Sequence, residues 1–249
     1  MSFTKKWLAD DIRALGIGPG DAVVVHSSFK KLGTVEGGPA AFIEALAEIL
    51  LPDGALLFPN LYIPHEFTAG NPPRFDLKKD SIKKLGVIPE TFKFHYAEHF
   101  SVHPTHSMMG MGRRCGEILS GHEKAGCPCG AGTPWHKNAL SGGKILLAGV
   151  GQQSNTTYHT AEELMENTFK LSKDVIRGEV VFDGRTVVVP SRLHLWNVYH
   201  ADFNVLNPEL EEAGLLKKGL VGEAETLCLN AKGFIDLALS RLDSTGHLK

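Results

Sequence analysis

A histidine followed three positions later by a carboxylate has chemical potential, and the segment Lys144 to Glu163, KILLAGVGQQSNTTYHTAEE, carries such a pair in His159 and Glu162. An imidazole with an ordinary pKa of about 6.5 can take a proton at neutral pH, so His159 suits a general base. Glu162 lies on the same helical face and is the local candidate to fix the imidazole tautomer; Glu163 is less favourably placed. Thr156, Thr157 and the amides after Gly151 can donate to an oxygen that gathers negative charge, with Thr157 the better side-chain candidate. The plainer reading of the same residues is helix capping, by Asn155 or Thr156 at the start and by acids favouring the amino-terminus.

These groups need a strand to deliver them. Ile145 to Val150 is a short apolar run stopped by Gly149 and Gly151, a buried strand that hands over to polar residues at its carboxyl end, where α/β enzymes hold their ligands. A second run, Ala22 to Val25, ends in His26, Ser27 and Ser28 and is followed by a glycine loop, a helix opened by Pro39, and a strand from Ala55 to Phe58 terminated at Pro59. Strand, loop, helix, strand is a βαβ unit. The expected class is therefore α/β, a central mixed, partly parallel sheet flanked by helices, in one domain spanning 1–249. Around it lie a first helix through Trp7, Leu8, Ile12 and Leu15, and long loops over Leu61 to Lys84 and Gly121 to Gly132. A β-hairpin elaboration near 175–190 turns on Asp183–Gly184. A helical period runs over Leu193 to Phe203, and the tail from Gly222 to Leu242 reads as two helices or a helix and a strand.

Composition narrows the partners. A chain of 249 residues, 43% hydrophobic and 22% charged, has the make-up of a soluble globular protein, and a net charge of -2 leaves no basic excess for nucleic acid. Lys78, Lys79, Lys83 and Lys84 read as a solvated helix face, though an anionic cofactor could use one of them. No apolar run is long enough to span a bilayer, and the amphipathic start is not a signal peptide, so a cytoplasmic protein without membrane partners is expected. Cys115, Cys127, Cys129 and Cys228 are expected as reduced thiols, since the CPC triplet would close a strained ring. His103 and His106, flanking a proline, make a poor zinc template, and no metal site is expected. A metal-dependent hydrolase using the histidine-rich loops is the competing enzyme class, and a small-molecule binder without chemistry the competing non-enzyme.

Several segments together resemble the aminoglycoside 3-N-acetyltransferase, or antibiotic N-acetyltransferase, family: VVVHSSFKKLGTVEGGPAAFIEAL with LLPDGALLFPN, FDLKKD with GVIPETF and HPTHS, AGTPW, GGKILLAGVGQQSNTTYHTAEE, and GLVGEAETLCLNAKGFIDLAL. The resemblance runs in order from about Val23 to Leu239. It implies an acetyl-CoA-dependent transfer to an amine by direct attack in a ternary complex, with antibiotic resistance as the associated role. His159 matches the family's catalytic histidine and Glu162 its supporting acid. His26, Ser27, Ser28 and Ser107 match positions on the cofactor side. A CoA pyrophosphate would also want backbone N–H groups at a helix start and positive charge, for which Gly37, Gly38, Lys30 and Lys31 are candidates. Asp76, matching a family FD pair, either orients its loop or, with Glu66, meets a cationic acceptor. The loops hold no dense acidic cluster for a polycation, which leaves a biosynthetic amino sugar or another small amine or hydroxyl as the alternative acceptor. Oligomeric state stays open.

Overall fold

The computed structural model describes residues 2–63, 67–165, 170–195, 201–244 and 246–249. In chain order the elements begin β1 (Ser2–Phe3), α1 (Lys5–Ala14), β2 (Ala22–Ser27), β3 (Thr34–Val35), α2 (Gly38–Leu50), β4 (Ala55–Leu61), β5 (Arg74–Asp76), α3 (Val87–His95), β6 (His99–Phe100) and β7 (His106–Met111). They continue α4 (Cys115–Leu119), α5 (Pro134–Leu140), β8 (Lys144–Ala148), α6 (Tyr158–Glu163), β9 (Ile176–Phe182), β10 (Arg185–Ser191), α7 (Asn207–Glu212), β11 (Leu216–Val221), β12 (Ala224–Asn230) and α8 (Ala231–Arg241).

Among the described residues, the main sheet has the order β11-β12-β8-β2-β4-β7-β6. β2 runs parallel to both β4 and β8, whereas β7 and β12 run antiparallel to their neighbours. The carboxyl ends of β2, β4 and β8 and the amino ends of β7 and β12 therefore share one edge. Period-two alternation divides the core: Val23, Val25, Leu56, Phe58 and Leu146 pack with α1 and α2 on one face. Val24, Leu57 and Met108 meet Trp135 on the other, while Ile145 and Leu147 pack under α8. With both faces covered, the central strands read as unbroken apolar runs.

Local chemistry sets the element ends. Thr4 Oγ1 accepts from Trp7 N at 3.2 Å and Asn230 Oδ1 from Gly233 N at 2.8 Å, capping α1 and α8. Asp183 and Gly184 both have positive φ, 48° and 75°, which suits the two-residue turn between β9 and β10.

Several expectations change. β4 passes through Pro59 to Leu61 because β2 pairs with it only as far as Leu57, so the proline interrupts no ladder on that side. Trp7 is exposed, so the buried stripe of α1 is Leu8, Ala9 and Ile12. The hairpin expected near 175–190 is present as β9 and β10, and it gains a third strand: β5 pairs in parallel with β9 to make a second sheet, β10-β9-β5. Lys78 and Lys79 lie in a turn and Lys83 and Lys84 in a single 3-10 turn, so no helix face carries them. Part of the helical stretch expected over Leu193 to Phe203 lies outside the described residues. Within them His194 is extended, bridged to Leu171, and Phe203–Leu206 is a 3-10 turn. The tail is a strand and a helix, β12 and α8.

Candidate active site

β8 ends at Ala148, and the chain turns through Gly149 at φ 70° into a polar loop that opens α6. That loop is wired by amides. Asn155 Oδ1 accepts from Thr157 N at 3.1 Å, and Asn155 Nδ2 donates to Gln152 Oε1 at 2.9 Å. Gln152 in turn is tied to Asn204 and Asn207. Asn155 thus ties down the backbone just ahead of α6, and the cap position itself, Thr157, makes no side-chain capping bond. Thr157 Oγ1 is buried and has no hydrogen-bond partner among the described residues. Thr156 faces a cavity of about 230 Å3.

His159 sits in the first turn of α6, and its Nδ1 is 2.8 Å from Glu162 Oε2. The other Glu162 oxygen accepts from Lys170 Nζ. Lys170 and Glu162 are almost fully buried, 1% and 2% exposed, and the His159 side chain is 12% exposed. Burial raises the Glu162 carboxyl above its ordinary value, and the Lys170 ammonium offsets only part of that rise. When Glu162 is ionised it can only accept, and Nδ1 of His159 then carries the hydrogen and leaves Nε2 as the basic nitrogen.

β2 brings a second set of groups to the same edge, because His26 and Ser27 lie in register with Leu147 and Ala148. His26, Ser27, Ser154, Thr156 and Lys84 line the 230 Å3 cavity, and His159 is not among its lining residues. His26 Nε2 and Ser27 Oγ are buried and have no hydrogen-bond partner among the described residues. Burial depresses the His26 pKa to about 3, so this imidazole is neutral and offers hydrogen bonds in place of charge. On the far side of Val150 opens a larger cleft of about 1040 Å3, lined by Lys31, Gly151, Gln153 and Lys218 among others.

The remaining sequence candidates fall elsewhere. Ser28 precedes the 3-10 turn carrying Lys30, which is exposed, Gly37 caps α2 and Gly38 is its first residue; none of the four lines either hollow. Ser107 is fully buried and its hydroxyl donates to Ser101 O at 2.6 Å, an internal tie. Asp76 orients its own loop: Oδ1 accepts from the backbone of Lys78 and Lys79. Glu66 lies outside the described residues. Burial pushes the Cys127 thiol up to about 12 and raises Cys129 as well, so neither is a thiolate nucleophile at neutral pH.

Sequence reasoning missed Lys170, His194 and the position of Glu163. Glu163 Oε1 meets His194 Nε2 at 2.5 Å, and its Oε2 accepts from the backbone of Cys129 and Gly130. These partners stand far apart in the chain and share no spacing signal.

The fold is that of the aminoglycoside acetyltransferases. The solved structure of aminoglycoside acetyltransferase AAC(3)-Xa superposes with a TM-score of 0.82 at 24% identity, covering 99% of this chain and 94% of that one. That of AAC(3)-IVa, a histidine-to-alanine mutant in complex with gentamicin, superposes at 0.80 with 27% identity, covering 97% and 89%. In sequence, the chain is 28% identical to aminoglycoside N(3)-acetyltransferase IV of Salmonella sp over 240 residues, 96% of this chain and 87% of the relative. It is 26% identical to the aminoglycoside N(3')-acetyltransferase-like protein YokD of Bacillus subtilis (strain 168) over 261 residues, 94% and 90%. The model of the aminoglycoside 3-N-acetyltransferase family matches residues 24–243, and the chain belongs to that family. It is an acyltransferase. Among the described residues, no helix is long and apolar enough to cross a membrane.

Proposed function

We propose that this enzyme moves the acetyl group of acetyl-CoA to an amine of an aminoglycoside-like acceptor by direct attack, with His159 as general base. The relationship to chains such as AAC-IIIb, solved as a binary complex with CoASH, supports the acyl donor. The His159–Glu162–Lys170 chain at the sheet edge carries the reading for the base. A protonated amine has no lone pair for attack, so the nitrogen must lose a proton as it bonds to the thioester carbon. In the proposed step the new C–N bond forms, the C–S bond breaks, and the electron pair leaves with the CoA sulfur. His159 Nε2 takes the amine proton and returns it to the thiolate. Glu162 holds the imidazolium in place, and Lys170 balances the carboxylate charge.

Negative charge on the thioester oxygen calls for donors fixed in advance. The unpartnered Thr157 hydroxyl and Thr156 at the cavity wall suit that role. The neutral imidazole of His26 and the hydroxyl of Ser27 suit the acyl-CoA side, with Lys84 at the wall of the same cavity, and Lys31 in the larger cleft, as counter-charges for its phosphates. Asp76 and Asp80 are engaged within their own loop, Asp80 accepting from Asp76 N at 2.8 Å. That observation favours a second reading for the acceptor, an amino sugar of lower charge than an aminoglycoside.

His159→Ala is expected to cut amine-dependent thiol release from acetyl-CoA by roughly 10²–10⁴-fold. Calorimetric CoA binding should be retained, and near-normal turnover by this variant would remove His159 from the role. A panel of 2-deoxystreptamine aminoglycosides and simple amino sugars, read by acetyl-CoA consumption, separates the two acceptors.

A further inference from the structure

His106 at the start of β7, Cys129 between α4 and α5, and His194 after β10 come from three distant segments. All three are buried, and each offers a ligating atom such that the atoms lie within 4.8 Å of one another. We propose that these three side chains form a binding site for one thiophilic divalent cation, Zn2+ by preference. Mixed imidazole and thiol donors select zinc over magnesium or calcium, which require oxygen ligands.

Two further observations point to a cation. His194 is 3% exposed, and its Nδ1 has no hydrogen-bond partner among the described residues, although its Nε2 is held by Glu163 at 2.5 Å. A carboxylate on one ring nitrogen with the other facing a ligand position is the arrangement that orients metal-bound histidines. The same carboxylate accepts from Cys129 N at 2.8 Å and Gly130 N at 2.7 Å, so it fixes the cysteine's loop as well. His106 is steadied in parallel by Thr105 Oγ1, 3.0 Å from its Nδ1.

Charge supplies the second argument. The Glu163 side chain is fully shielded from water, yet its ion-pair partner among the described residues is a histidine, whereas neighbouring Glu162 has Lys170. A buried carboxylate beside a cysteine needs positive charge close by. One divalent cation balances a Cys129 thiolate and the Glu163 carboxylate together, and the thiol proton passes to solvent as the metal binds. Tetrahedral bonds of about 2.0–2.3 Å place donors roughly 3.3–3.8 Å apart, so rotation of the three side chains has only about an ångström to close. The three protein ligands leave a fourth position for water or an added donor. Such a cation would clamp together β7, the CPC loop and the extended segment at His194, and the His194 ring lies 4.2 Å from that of His159.

The test uses the full-length protein purified without chelator, for elemental analysis, and after chelator treatment, for titration with Co2+. About one zinc per chain is expected in the first sample. The second should develop tetrahedral d–d bands and a thiolate-to-Co2+ charge-transfer band that saturate together at about one equivalent. Cys129→Ser should lose the charge-transfer band, Cys127→Ser should keep it, and Glu163→Gln should weaken Co2+ binding by roughly 10–100-fold. A wild-type protein that develops no thiolate band overturns the site, as does a Cys129→Ser spectrum matching wild type, or loss of the band in Cys127→Ser instead. Should the Cys129 variant fail to fold, the wild-type titration decides alone.

Discussion

Lys170 and Glu162 pair where water hardly reaches, so removing either one takes away the counter-charge of a buried ion. Lys170→Met is expected to cost about 3–5 kcal/mol in urea unfolding, and a loss under 1 kcal/mol would show that the pair is not closed in solution. Thr157 presents the opposite case. Its hydroxyl has no hydrogen-bond partner among the described residues, so Thr157→Val should leave the unfolding midpoint nearly unchanged while lowering kcat if the hydroxyl meets the thioester oxygen. Unchanged kcat would assign the threonine to packing. The His159–Glu162 pair was legible because two residues three apart on one helix must be neighbours. Lys170 was not, since it approaches from beyond the helix and no periodicity ties it to Glu162. Glu163, which spacing ranked second, proved to be engaged with His194 and the Cys129 loop.

At the scale of elements, the site depends on β2, β4 and β8 ending together. Gly112, just after β7, illustrates how tightly that sheet is closed. Its φ is 108°, and a Cβ there would stand 2.5 Å from Gly54 O and 2.4 Å from Leu51 Cδ2. Gly112→Ala is expected to destabilise by about 1–3 kcal/mol in thermal or urea unfolding, and a neutral result would mean the turn before α4 relaxes freely. The apolar runs of β2, β4 and β8 announced themselves because helices cover both faces of the sheet. β11 did not, because it is an edge strand with Lys217 and Lys218 exposed along its middle, a charge pattern that discourages further pairing. β5 was hidden by length, three residues being too few to show a period.

For the molecule as a whole, burial of neutral imidazoles couples stability to pH. Burial holds the His26 and His122 pKa values near 3, against 6.5 when unfolded. As pH falls through 6.5 the unfolded chain protonates first, so stability is full above that value and is lost progressively toward pH 3. Each histidine is expected to remove about 1.4 kcal/mol by pH 5.5. Urea midpoints at pH 7.5 and 5.5 check this, and equal midpoints would contradict it. By itself the sequence determined the α/β class, the hairpin turn, the delivery of His26 and Ser27 at one strand end and of His159 at another, and the family resemblance. All of these rest on local periodicity, turn chemistry or contiguous motifs. The tertiary structure alone decided that β2 and β8 are parallel neighbours, that Lys170 completes the Glu162 pair, and that His106, Cys129 and His194 meet. Lys170 stands eight positions beyond Glu162, outside α6, and the other contacts join residues more than twenty positions apart, so no local period ties any of them together.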